Sequence, residues 1–180
     1  MSRSAFKSVV ALLVIAAMVS VATPGHGETK WAEFRPRDAA FAIDMPGEWT
    51  LAERKSARAA PGEQPMHMAS VKVNGRAHMT VYWAVPADKL AALSTTSILD
   101  ATREGIVSNG RDRLRSERRV TIDAYPAREL IVEAADSKVY AVRYALMNNV
   151  MVQAVVAGPP GVEQEVDTTR FLTSLKPIGR

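Results

Sequence analysis

The chain has 180 residues, with 23 basic and 19 acidic side chains, 47% hydrophobic residues and no cysteine. Two of the basic residues, Arg3 and Lys7, fall in a segment that reads as a removable export signal; without them the balance is 21 to 19, which does not call for nucleic acid. The lack of cysteine excludes disulfides and thiolate chemistry, and a domain of this length buries enough surface to be stable without covalent staples.

Taken in order, Arg3 and Lys7 precede an uninterrupted apolar run from Val9 to Val19, and Ser20-Val21-Ala22 supplies the small residues of a signal-peptidase site. Cleavage is expected after Ala22, with Gly25-His26-Gly27 as a later alternative. The run is shorter than the roughly 20 residues that a comfortable membrane span needs. The expectation is therefore a periplasmic or secreted protein: residues 1–22 as signal peptide, 23–30 as a flexible leader, and one domain over 31–180. No transmembrane segment is expected in the mature chain.

Trp31, Phe34 and then Phe41 to Met45 bring the first strand, with Phe41, Ile43 and Met45 on one face. Pro46-Gly47 ends it, and Trp49 to Glu53 begins a second. Ser56 to Pro65 reads as a mobile loop. Met66 to Val85 predicts a hairpin about Asn74-Gly75, because both residues accept the positive φ of a type I′ turn. That turn sets His67 opposite Tyr82, Val71 opposite His78 and Ser70 opposite Met79. Beyond Pro86, Ser94 or Thr95 caps a helix that Gly110 closes, with Ile98, Leu99, Thr102, Gly105 and Ile106 inward and Asp100, Arg103 and Glu104 outward. Arg111 to Arg119 starts a strand leading into a meander: Thr121–Asp123, Ala127–Ala134, Lys138–Met147 and Val150–Gly158, the last two joined at Asn148-Asn149. A last helix carries Thr168, Phe171, Leu172 and Leu175. The order is four strands, a helix, four strands and a helix. Hairpins make the sheet mainly antiparallel, both its faces are apolar, and the two helices are available to cover them.

Three stretches carry a resemblance. Phe41-Ala42-Ile43-Asp44-Met45-Pro46-Gly47-Glu48-Trp49, Tyr125-Pro126-Ala127-Arg128 and Phe171-Leu172-Thr173-Ser174-Leu175 are similar to the opening strand and turn, the meander start and the closing helix of the PsbP-like superfamily. The resemblance implies an α+β fold, an α/β/α sandwich around a mainly antiparallel sheet. It also implies an accessory or binding module rather than an enzyme. Photosystem II extrinsic proteins, a Ran-binding import factor and bacterial envelope proteins belong to that superfamily. The export signal of bacterial type points to the last group.

Chemistry has few carriers. Met66, His67 and Met68 opposite His78 and Met79 combine thioether and imidazole, ligands suited to Cu(I). Strand pairing puts the two histidines on one face and the three methionines on the other, so the expectation is no tightly held copper and no cofactor. A hydrolase would have to join His67 or His78 to a serine such as Ser70 and an acid, and no Gly-x-Ser-x-Gly turn is present. Glu129 and Glu133 share a strand face and read as a solvated edge. Arg111, Arg113 and Arg115 share another, followed by Arg118 and Arg119, and offer contact with anionic headgroups or an acidic partner, against a plain solvated strand end. Trp83, Tyr140 and Tyr144 line either the core or a groove. The reading is an exported non-catalytic accessory protein whose partner, an envelope protein or a membrane surface, is met by the loops Ser56–Pro65 and Pro86–Ser94.

Overall fold

The Asn74-Gly75 turn sets the register of the whole sheet. In the computed structural model, which describes residues 29–54, 65–107 and 112–179, Asn74 (φ 50°) and Gly75 (φ 77°) join β4 (Met66–Val73) to β5 (Arg76–Ala84). The pairing is the one the turn dictates: Val73 with Arg76, Val71 with His78, Ser70 with Met79 and His67 with Tyr82. β3 (Thr50–Arg54) lies outside β4. β9 (Val150–Gly158), β8 (Val139–Met147), β7 (Tyr125–Glu133) and β6 (Arg113–Ile122) complete a seven-stranded sheet of order β3-β4-β5-β9-β8-β7-β6, every pair antiparallel.

Alternation along β8 divides its side chains as the sequence predicts. Val142, Tyr144 and Leu146 meet Ile98, Leu99 and Ile106 of α2 (Thr95–Val107) on one side. Val139, Ala145 and Met147 join a second core on the other. The inward row of α2 is the predicted one, and Ser94 caps it, its Oγ accepting from the Ser97 N–H at 3.1 Å.

The second face is covered differently from expectation. A small antiparallel sheet lies over it, made of β1 (Trp31–Phe34), β2 (Phe41–Pro46) and the two-residue β10 (Lys176–Pro177), with α3 (Val166–Thr173) beside it. Phe41, Ile43 and Met45 are fully buried, because β2 is the middle strand of that layer. Trp31 to Phe34 is thus a separate strand, not the lead-in to β2. Pro86–Ser94, expected as a loop, contains α1 (Ala87–Ala92), which buries no residue. α1 and α2 cover one face, while α3 shares the other with the small sheet. Gly110, most of Ser56–Pro65 and the N-terminal signal lie outside the described residues. Among those described, no helix is long and apolar enough to cross a membrane.

A 3-10 turn (Val162–Gln164) closes the second core behind β9. Its Val162 is fully buried, and a Cβ at Gly158 would stand 2.8 Å from Val162 Cγ2. Gly158→Ala is expected to lower stability by about 1–3 kcal/mol, the usual cost of overpacking. An unchanged urea midpoint would show that this junction yields freely.

Candidate functional site

The inner row of β5 is polar although it lies beneath the second layer. Period-two alternation puts Arg76, His78, Thr80 and Tyr82 on the face that looks toward β1, β2 and α3. Three of the four find a specific polar partner. The Arg76 guanidinium donates from Nε and Nη2 to Glu165 at 2.6–3.1 Å, and from Nη1 to the Asn74 carbonyl. Thr80 Oγ1 lies 3.7 Å from Met45 Sδ. The Tyr82 hydroxyl donates to Asp38 Oδ1 at 3.2 Å, and burial, then the Asp38 charge, push its pKa upward. His67 stacks on the Tyr82 ring at 5.0 Å, with its Nε2 3.6 Å from Asp38 Oδ2.

His78 is the exception. It is 3% exposed, and neither ring nitrogen has a hydrogen-bond partner. Its ring stands edge-to-face against Phe171 at 5.2 Å and Trp31 at 6.3 Å. Burial holds its pKa down to about 4, with Asp167 and Glu165 pulling the other way, so at neutral pH the ring is uncharged. Beside it a cleft of about 220 Å³ opens between the Asn74 turn and the start of α3, lined by Pro46, Val73, Asn74, Arg76, Glu165 and Asp167 as well as His78. Arg170 lies over the ring of Trp31, its guanidinium carbon 4.4 Å from the ring centre.

No protein-family model matches the sequence, and no curated protein matches it. Structural similarity is informative: the solution structure of cyanobacterial PsbP (CyanoP) from Synechocystis sp. PCC 6803 superposes with a TM-score of 0.56, over 87% of this chain and 98% of that one, at 12% identity. The chain has the PsbP-like fold. The crystal structure of PA94 from Pseudomonas aeruginosa, a protein of unknown function, aligns over 83% of this chain and 99% of its own at 10% identity, with a TM-score of 0.48.

The PsbP-like fold separates the residues that looked metal-binding. His67 and His78 share the inner face, but their register positions are four residues apart along the hairpin, about 13 Å. Met66, Met68 and Met79 alternate onto the opposite face. Among the described residues no three His, Cys, Asp or Glu side chains gather where a metal ion would sit. A triad through Ser70 fails for the same geometric reason: Ser70 pairs with Met79 on the far face, its Oγ 3.4 Å from Thr50 Oγ1, away from both histidines.

The arginines are placed more informatively. Arg111 lies outside the described residues. Arg113 reaches Glu133 at 3.8 Å, Arg115 sits at a bulge in β6 and reaches Glu163 at 3.2 Å, and Arg118 pairs with Glu129. These contacts tie the edge strand to β7 and the 3-10 turn. Glu129 is not a solvated edge residue as expected: Arg118 flanks it on one side, and Arg143 Nε lies 3.0 Å away on the other, an ion pair off the N–H direction. Arg143 Nη1 donates instead to the Leu172 carbonyl at the end of α3. Tyr144 is core, its hydroxyl donating to the Leu99 carbonyl at 3.3 Å, and Tyr140 and Trp83 pack against the same cluster, so no aromatic groove forms there.

Sequence reasoning missed Arg76, Tyr82 and Arg128. The signal for the first two was available, since Arg-x-His-x-Thr-x-Tyr on one strand is a polar row on a face that hydrophobic alternation would fill.

Proposed function

We propose that the protein is an exported, non-catalytic accessory or binding module of the bacterial envelope. The observation that carries this is the use made of its polar side chains. The inner row of β5 and the arginines of β6 and β8 engage the neighbouring layer or strand rather than converging on a shared reaction centre. The charged N-terminus and the Val9–Val19 run support export, and the fold it shares with cyanobacterial PsbP suits a module that presents surfaces on a rigid frame. The partner is an envelope protein or a membrane surface. α1, all of whose residues reach solvent, and the arginines of β6 are the faces offered to it.

The rival reading is a small envelope hydrolase using His67 or His78. The test is a screen of the purified protein against ester, phosphate, glycan and peptide substrates beside His67→Ala and His78→Ala. No turnover is expected. Turnover that vanishes in either variant, while far-UV circular dichroism is unchanged, would overturn the binding-module reading.

A further inference from the structure

We propose that His78 is a pH-operated latch between the seven-stranded sheet and the layer formed by β1 and α3. In this scheme the neutral ring is clamped between Trp31 and Phe171, and the protonated ring turns out of that slot toward Asp167 in the adjoining cleft. Three observations carry the inference. The ring is 3% exposed, both nitrogens are unpartnered, and it sits where three elements meet, β5, β1 and α3. A buried cation without a partner is not tolerated, so protonation forces a rearrangement rather than a simple gain of charge. The cleft beside the ring supplies a destination, since Asp167 and Glu165 both line it.

The charged groups around the ring set the direction. Glu165 is already held by Arg76, which lies on the ring's own strand and opposes the proton. Asp167 of α3 favours it. Arg170, also on α3, is engaged with the ring of Trp31. The flanking strands present only Val71 and Val156 at the cross-strand positions. Asp167 is therefore the acceptor that a departing imidazolium would meet. Above pH 6.5 the ring is neutral whether clamped or free, and the latch is shut. Between that value and about 4 the free ring takes up a proton that the clamped ring does not, so acidification favours release.

The test follows tryptophan emission from pH 7.5 to 3.5 in a protein carrying Trp49→Phe and Trp83→Phe, leaving Trp31 as reporter, with far-UV circular dichroism in parallel. The expected result is a reversible emission step with a midpoint between about 4 and 6.5, preceding any loss of secondary structure. It should be absent in His78→Phe and displaced to lower pH in Asp167→Asn. A His78→Phe curve that coincides with the parent overturns the proposal. Should His78→Phe not fold, NMR of the unsubstituted protein decides. Imidazole C–H signals that titrate together with the Trp31 indole and Phe171 ring signals support the latch. An imidazole titration that leaves those signals fixed overturns it.

Discussion

Replacing Arg128 with alanine is expected to lower the unfolding free energy by about 1.5–3 kcal/mol, the range for losing hydrogen bonds to charged groups. Arg128 is 4% exposed and is held by Asp100 on α2 and by Glu117 on β6, the latter at 2.9 Å; Glu117 also accepts from Arg103 Nε at 2.7 Å. The network fastens the middle of α2 to the edge of the sheet, and alanine would leave Glu117, itself only partly exposed, with one guanidinium instead of two. Arg128→Met separates charge from packing. It keeps an apolar stem along the strand and should cost clearly less than alanine, since Asp100 can regain water. Urea midpoints of the two variants decide. Equal losses would mean that the ion network, not packing along the stem, sets the contribution.

The second large effect is expected at Phe171. It is fully buried and, with Thr168, forms the inward face of a helix of only eight residues, which could not persist without tertiary contacts. Phe171→Ala should cost about 3–5 kcal/mol, as large-to-small core changes do. Phe171→Leu should retain most of that. Hydrogen exchange adds a local test: amides of α3 should lose protection in Phe171→Ala well before those of β8 and β9, because Phe171 is the one large apolar side chain that α3 buries fully, while those strands are hydrogen-bonded on both sides. Uniform loss across the domain would indicate that α3 and the sheet unfold as one unit.

Much of the architecture was determined by the sequence alone. The Asn74-Gly75 turn has a single comfortable geometry, and it fixed which residues of β4 and β5 face each other. The two-faced apolar pattern of β8 and the Ile98 to Ile106 stripe of α2 were legible because alternation and helical period are local properties of the chain. What lay beyond local pattern was decided only by tertiary structure. Trp31–Phe34 and Lys176–Pro177 become strands because each pairs with β2, and segments of four and two residues are too short to carry an alternation of their own. Asp100 and Arg103 looked like a solvated helix face, and Glu129 like a solvated strand edge, until the fold brought arginines or carboxylates from other strands against them. His78 was the sharpest such case. Its residue type pointed to a ligand or a base, but whether a ring is clamped between Trp31 and Phe171 depends on a layer assembled from both ends of the domain, and no spacing within β5 encodes that.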